Sequence, residues 1–190
     1  NEIAVFSADM KLQKILSLTA KASPHTHASV IFKDKKGTIW LGLYKDGILT
    51  CNPYTEEITR IEMEDKRADI CCFYEENNKI WIGTQNGLYS YENGKIVEEK
   101  EINEQLPDIM IHGIQRDRQG KLWLGTFGKG LIVFSPEGKR IMRFDTSNGM
   151  ESNAVNALYI DSEGNLWAAT RAGIVHISDT SNPTLEIYNH

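Results

Sequence analysis

The sequence has no long apolar run and no cluster of basic residues. Its longest apolar stretches hold four or five residues, such as Leu131–Phe134, whereas a membrane-spanning helix needs about 20. The net charge is −5, and the short basic segment Lys33–Lys36 is interrupted by Asp34. Nucleic-acid binding depends on clustered cations that neutralise phosphates. We therefore predict that this stretch of chain neither contacts a membrane nor binds nucleic acid.

Cysteine is scarce, and the common catalytic signatures are missing. Cys51, Cys71 and Cys72 form an odd set without the spacing of a metal site. Cys71 and Cys72 are adjacent on a predicted strand and point to opposite faces, which favours small apolar roles over a disulfide. The sequence contains no Gly-x-Ser-x-Gly elbow, phosphate-binding loop or His-Glu-x-x-His motif. We predict no catalytic residue, no metal and no cofactor.

Tryptophan, by contrast, recurs with a regular period. Trp40, Trp81, Trp123 and Trp167 follow one another at intervals of 41, 42 and 44 residues. This period is typical of four-stranded propeller blades, each of which must stack on another copy to bury its apolar face. The hydrophobic content of 41% is enough for a sizeable core. We therefore predict an all-β chain of four-stranded antiparallel β-propeller blades.

An acidic residue precedes each tryptophan by five or six positions. Asp34, Asp117 and Asp161 are each followed three residues later by glycine, while the second copy has Glu76 and then Asn78. This pattern predicts a tight turn between the first and second strands of a blade, with a left-handed residue at its end. A carboxylate that recurs at one place in every blade serves the blade. We therefore interpret these residues as turn caps and not as catalytic acids.

Small residues follow each tryptophan at fixed distances. The residue two positions later is glycine or alanine, on the same face of the strand as the indole, which leaves room for a neighbour to approach. A second glycine, six or seven positions after tryptophan, marks the turn into the third strand. The third strands are predicted over residues 48–51, 88–91, 131–134 and 174–177.

The repeat divides the chain into about four and a half blades of one propeller domain. Residues 1–20 are predicted to form the third and fourth strands of a half blade, because Ala4–Ser7 resembles Ile132–Ser135. Four full blades are predicted over residues 21–65, 66–106, 107–150 and 151–190. The chain starts without methionine and would expose open sheet faces, so we expect it to be a piece of a longer propeller with further blades. A missing signal peptide then says nothing about the compartment.

The motif Asp-x-x-Gly-x-Leu/Ile-Trp-x-Gly-Thr, followed by Gly-Leu/Ile, resembles the two-component regulator propeller repeat. The resemblance covers nearly the whole chain in four copies, with departures at Leu43, at Ala169 and in the glycine-free turn of the second copy. It implies a fragment of a seven-bladed propeller in the periplasmic sensor of a hybrid two-component system of gut bacteria. Such a parent protein is anchored in the inner membrane as a homodimer, carries its histidine kinase elsewhere and detects oligosaccharides from polysaccharide breakdown.

Propellers also host lyases and hydrolases, and others are assembly scaffolds, so the fold alone does not decide the function. A binding module would use the loops in which the repeat breaks down. The loops before the first strand and after the second strand emerge on the same side of a propeller, where aromatic rings can stack on sugars and polar groups can bind hydroxyls or a uronic carboxylate. The predicted ligand-binding residues are Tyr44, Lys45, Asp46, Arg67, Asn86, His112, Phe127, Lys129, Asn153 and Arg171.

Overall fold

The computed structural model describes residues 2–18, 21–65 and 68–188. These residues form one two-stranded and four four-stranded antiparallel sheets, in which each strand pairs with the next along the chain. The predicted all-β architecture of propeller blades is thereby confirmed. The hairpin consists of β1 (Glu2–Phe6) and β2 (Leu12–Ser17), and blade 1 consists of β3 (Ala28–Lys33), β4 (Ile39–Leu43), β5 (Gly47–Cys51) and β6 (Ile58–Ile61).

The remaining three blades have the same strand order, and one helical turn is inserted after blade 2. Blade 2 contains β7 (Ile70–Glu76), β8 (Lys79–Thr84), β9 (Gly87–Glu92) and β10 (Lys95–Glu98), followed by α1 (Lys100–Asn103). Blade 3 contains β11 (Ile111–Arg116), β12 (Leu122–Thr126), β13 (Gly130–Phe134) and β14 (Arg140–Phe144). Blade 4 contains β15 (Val155–Ile160), β16 (Leu166–Thr170), β17 (Gly173–Ile177) and β18 (Leu185–Tyr188).

The chain divides into two compact units. The first comprises Asn1–Ile70 with Gly94–Ile96, and the second comprises Cys71–Asn93 with Val97–His190. No helix in the described part of the chain is both long enough and apolar enough to span a membrane.

The turn between β1 and β2 repeats the turn between β13 and β14. The Met10 N–H donates to the Ser7 carbonyl over 3.0 Å, and the Gly138 N–H donates to the Ser135 carbonyl over 3.0 Å. Met10 has a φ of 62° and Gly138 a φ of 80°. The similarity of Ala4–Ser7 to strand β13 therefore extends to the conformation of the following turn.

The glycine two residues after tryptophan in blades 1, 2 and 3 allows the next first strand to approach closely, as predicted. A Cβ at Gly42 would lie 2.7 Å from Ile70 Cβ, and one at Gly125 would lie 2.7 Å from Val155 Cγ1. At Gly83 the obstacle is main chain, because the added Cβ would lie 2.5 Å from the Ile111 carbonyl oxygen. Any larger side chain would push the neighbouring strand away.

The apolar cores lie between successive sheets. In the second unit, Trp123 and Leu131 of blade 3 pack with Val155 and Leu166 of blade 4, and all four are fully buried. A second cluster joins blades 2 and 3 around Leu88 and the segment that follows α1. In the first unit, the corresponding cluster contains Leu18, Leu41, Leu43 and Leu49. The apolar face of each sheet is thus buried against another sheet, as stacked repeats require.

The helical turn α1 has no counterpart in the repeat and was not predicted. The side-chain amide of its last residue, Asn103, forms two hydrogen bonds with the main chain of β9, as a neighbouring strand would. The Leu88 N–H donates to Asn103 Oδ1 over 2.8 Å, and Asn103 Nδ2 donates to the Leu88 carbonyl over 3.0 Å. Ile102 is buried, so the turn fills the core and completes the hydrogen bonds of the strand end.

The cysteines pack as apolar residues. Cys51 is buried, and none of the three forms a disulfide in the described structure. Cys72 packs against the core between blades 2 and 3, and its thiol lies 3.6 Å from the Ile111 carbonyl oxygen. Burial raises the pKa of the Cys72 thiol well above its ordinary value. The thiol therefore stays protonated at neutral pH.

Candidate functional site

The repeated carboxylates are held within the turns that they cap. Asp117 Oδ1 accepts hydrogen bonds from the main-chain N–H groups of Gln119 (3.0 Å) and Lys121 (2.9 Å). Asp117 Oδ2 accepts a third from the indole Nε1–H of Trp123 over 2.8 Å. Gly120 closes the turn with a φ of 80°. The turn-cap interpretation is confirmed for Asp117, and the indole bond adds a second role that the sequence did not suggest.

The same bond joins the acidic turn to tryptophan in two other blades. Trp40 Nε1 donates to Asp34 Oδ2 over 2.9 Å, and Trp167 Nε1 donates to Asp161 Oδ2 over 2.9 Å. The indole of Trp167 and further donors in the turn hold the pKa of Asp161 well below its ordinary value of 3.8. Since these oxygens already accept several hydrogen bonds, the repeated carboxylates are poorly suited to acid–base chemistry.

Blade 2 departs from this arrangement, and the interpretation of Glu76 as a turn cap is wrong, because its carboxylate pairs with an arginine of the next blade. Glu76 accepts a charge-assisted hydrogen bond from Arg116 Nε of blade 3 over 2.6 Å. The Nε1–H of Trp81 is buried and has no hydrogen-bond partner among the described residues. The Lys79 ammonium lies over the Trp81 ring, 4.0 Å from its centroid. The shorter turn of this blade thus replaces a bond within one blade with an ion pair between two.

At the opposite edge, a threonine closes each of three short loops between the second and third strands. In blade 3, Thr126 Oγ1 donates to the Gly130 carbonyl over 2.8 Å and accepts from the Lys129 N–H over 3.1 Å. Equivalent pairs of bonds involve Thr84 in blade 2 and Thr170 in blade 4. The residue after each threonine lies at the start of the loop, and the three residues in this position are Gln85, Phe127 and Arg171.

Two of these residues form the centre of a group in the second unit, which we call the Phe127 cluster: His112, Phe127, Lys129, Asn153 and Arg171. The Phe127 ring is 40% exposed, and the Arg171 guanidinium carbon lies 4.6 Å from its centroid. The His112 ring centroid lies 5.8 Å from that of Phe127. Lys129 is exposed, and the Asn153 carbonyl oxygen accepts the N–H groups of Gly128 and Gly130, both over 2.9 Å.

A smaller aromatic group lies in the first unit. The Tyr44 ring is 39% exposed and stacks on His27 with a centroid distance of 5.1 Å. The Lys45 ammonium lies 5.0 Å from the Tyr44 centroid. His27 was not among the predicted ligand-binding residues. Its place directly before a first strand, in a segment that breaks the repeat, was the available signal.

Asp46 is buried in the same loop and is occupied by local partners. Its carboxylate accepts the N–H and Oγ–H of Ser23 over 2.8 Å and 2.9 Å, and it pairs with Arg60 over 3.2 Å. Burial by itself raises the pKa of Asp46, but the bonds from Ser23 and Arg60 outweigh it, so the net shift is downward. Ser23, Asp46, Arg60 and Met63 line a cavity of about 280 Å³.

The ten predicted ligand-binding residues therefore do not form a single site but lie in several separate loops. Five form the Phe127 cluster, and Tyr44 and Lys45 contact each other beside His27. Asn86 is exposed in its own loop, where its N–H donates to Thr84 Oγ1 over 3.0 Å. Arg67 lies outside the described residues. Over the described ranges, no group of three or more His, Cys, Asp or Glu side chains could hold a metal ion.

Comparison with known proteins agrees with the repeat. A profile of the two component regulator propeller family matches residues 105–128 and 149–172. Histidine kinase P4 from Formosa agariphila is 26% identical over 163 residues, which is 76% of this chain and 12% of that protein. The solved extracellular domain of a hybrid two component system from B. thetaiotaomicron is 28% identical, with a TM-score of 0.83, over 99% of this chain and 25% of that chain.

A propeller enzyme shares the fold. Virginiamycin B lyase from Staphylococcus aureus matches 84% of this chain and 54% of its own chain with a TM-score of 0.66, but at only 16% identity. That likeness concerns the architecture alone. The family profile and the similarity to the extracellular domain agree with the motif read from the residues. Residues 105–128 and 149–172 therefore match the two-component regulator propeller repeat, and the chain is similar to the extracellular domain of a hybrid two component system.

Proposed function

We propose that the chain is part of the extracytoplasmic, ligand-sensing propeller of a hybrid two-component sensor and lies in the periplasm. The observation that carries the proposal is the 28% identity to the extracellular domain of such a system over 99% of the chain. The chain spans 12% of the histidine kinase that it resembles. The kinase activity of the parent protein therefore lies in other segments, and this chain contributes binding.

The ligand in this proposal is an oligosaccharide released by polysaccharide breakdown. Support comes from Phe127 and Tyr44, which are exposed in equivalent loops and each carry a cation beside the ring. Exposed aromatic rings with a few convergent polar groups are typical of small-molecule sites. The chain binds this ligand without transforming it, because its repeated carboxylates are already engaged by indole and main-chain donors.

The partners in this proposal are neighbouring blades of the same parent chain and a second copy of the parent protein. Blades 3 and 4 are stiff, because the strands of each sheet are hydrogen-bonded to one another and the two sheets pack together. A ligand would then act by shifting whole domains against one another at an interface and not by bending a sheet. Occupancy would be relayed through a dimer.

Isothermal titration calorimetry of the full-length protein against a panel of neutral and acidic oligosaccharides tests the proposal, with chromatography of each sugar after incubation. Saturable binding of a sugar that is recovered intact supports a sensor. Conversion of the sugar to a product would instead establish a lyase or hydrolase. Failure of the whole panel to bind would leave an assembly scaffold. The Tyr44→Ala and Phe127→Ala variants should weaken binding if these loops contact the ligand.

A further inference from the structure

Phe127 and Arg171 occupy equivalent places in consecutive blades, and the fold brings them together. Each follows the threonine that closes its loop, and each lies four residues after the tryptophan of its blade. The guanidinium carbon lies 4.6 Å from the ring centroid, yet 40% of Phe127 stays exposed. A cation is thereby held over the ring, while part of Phe127 remains accessible to a ligand.

The two basic residues of this cluster form no ion pair among the described residues. Neither the Arg171 guanidinium nor the Lys129 ammonium forms an ion pair with a carboxylate in the part of the chain that the structure describes. The nearby Arg143, by contrast, pairs with Asp145 over 2.8 Å. The chain as a whole carries a net charge of −5. An unpaired guanidinium in contact with an exposed ring, with an exposed lysine in the same loop, is thus a local exception that favours an anionic ligand.

The loop that carries the ring is held rigidly, and space is open beside it. The Asn153 carbonyl accepts two main-chain N–H groups of the loop, and Asn153 Oδ1 accepts the Thr146 N–H over 2.8 Å. A Cβ built at Gly128 would meet no atom within 4 Å. Space is therefore open on one side of Gly128, directly after Phe127, and a loop that is already ordered loses little entropy on binding.

From these observations we infer that the Phe127 cluster binds an acidic sugar through its carboxylate, so that the ligand class is a uronate-containing oligosaccharide. The planar guanidinium of Arg171 accommodates the two oxygens of a carboxylate, and Lys129 adds a second positive charge. The Phe127 ring packs against the apolar face of the same sugar. This inference rests on the proposed sensor function and narrows it to one class of ligand.

A matched pair of ligands tests the inference by calorimetry on the full-length protein. One ligand is a uronate-containing oligosaccharide, and the other is the same oligosaccharide with its carboxyl groups reduced to alcohols. We expect the reduced ligand to bind at least about tenfold more weakly, since one lost ion pair of ordinary strength changes the affinity by that order. The Arg171→Ala and Lys129→Ala variants should each lose about tenfold for the acidic ligand and little for the reduced one.

Two exposed basic residues at the opposite edge of blade 3 are the matched controls. Arg118→Ala and Lys139→Ala remove the same charges there and should leave both affinities unchanged. Arg171→Gln keeps much of the side chain without its charge, and thermal unfolding of each variant shows that it is folded.

The possible outcomes separate the inference from the function on which it rests. If the reduced ligand binds as tightly as the acidic one, or if Arg171→Ala leaves the affinity intact, the inference is overturned while a sugar sensor stands. Tighter binding of a sulfated oligosaccharide would overturn the assignment of a carboxylate. If neutral, acidic and sulfated sugars all fail to bind, both the inference and the proposed function are overturned.

Discussion

Blades 2 and 3 have the same four strands but anchor their first turns in different ways. In blade 3, the Asp117 carboxylate binds two main-chain N–H groups and the Trp123 indole of its own blade. In blade 2, the Glu76 carboxylate reaches Arg116 of the neighbouring blade instead, and the Trp81 N–H has no partner in the described structure. The repeat therefore tolerates the loss of a turn cap when a contact between blades replaces it.

The cause of the difference is the spacing between the acid and the indole. Asp117 precedes Trp123 by six residues, whereas Glu76 precedes Trp81 by five. The shorter turn is closed by Asn77 and Asn78, with φ values of 49° and 64°. Asparagine tolerates this left-handed conformation better than most residues. A turn shortened by one residue can thus still close, but its carboxylate no longer meets the indole.

The largest difference in stability is expected between a variant that lacks the carboxylate of blade 3 and one that lacks the carboxylate of blade 2. Asp117→Ala leaves a buried indole N–H and two turn N–H groups without acceptors, and we expect a loss of about 4 kcal/mol in the free energy of unfolding. Glu76→Ala breaks one partly exposed ion pair and should cost about 1 kcal/mol. Urea denaturation followed by circular dichroism measures both. Equal losses of unfolding free energy would show that both turns are anchored equally and would contradict the difference between blades 2 and 3.

A smaller contrast is expected at the glycines two residues after tryptophan. Gly83→Ala places a methyl group against the main-chain oxygen of Ile111, which cannot rotate away, and should cost about 3 kcal/mol. Gly125→Ala meets only side-chain atoms of Val155 and Leu158, which can shift, and should cost about 1 kcal/mol. The midpoints of urea denaturation compare the two. A larger loss for Gly125→Ala would contradict this account of blade packing.

The smallest effect is expected for the tryptophan of blade 2. Trp123→Phe leaves Asp117 without its indole donor and should cost about 2 kcal/mol. Trp81→Phe removes a buried N–H that has no partner, which offsets part of the lost packing, so a loss of about 0.5 kcal/mol is expected. Thermal unfolding followed by circular dichroism resolves the difference. Equal losses would mean that Trp81 has a partner after all.

The repeated features of the fold could be predicted from the sequence because each copy confirmed the others. The turns at Gly37, Gly120 and Gly164 have the positive φ values that the Asp-x-x-Gly pattern predicted. The indole–carboxylate bond was missed, although its spacing of six residues was visible in three copies. The hydrogen bonds between Asn103 and Leu88 occur in one blade, so no repeated sequence pattern could predict them.

The candidate site could be located only coarsely. The candidate residues could be predicted as a set, because they lie in loops that break the repeat. The direction of each side chain, however, depends on local hydrogen bonds that a sequence does not show. Asp46 turns inward to Ser23 and Arg60, and Asn153 bonds Thr146, because polar loop side chains readily bind nearby main-chain groups. The contact of Phe127 with Arg171 crosses two blades, 44 residues apart in sequence.

In blades 2, 3 and 4, the threonine that closes the loop after the second strand makes the stability of the loop independent of the residues within it. Thr84, Thr126 and Thr170 bond the glycine carbonyl at the far end of their loops, whatever residues lie between: Gln-Asn, Phe-Gly-Lys or Arg-Ala. A substitution inside such a loop leaves the closing bonds intact. Point mutation can therefore exchange an aromatic, basic or amide side chain at this edge of the blade in a protein that still folds.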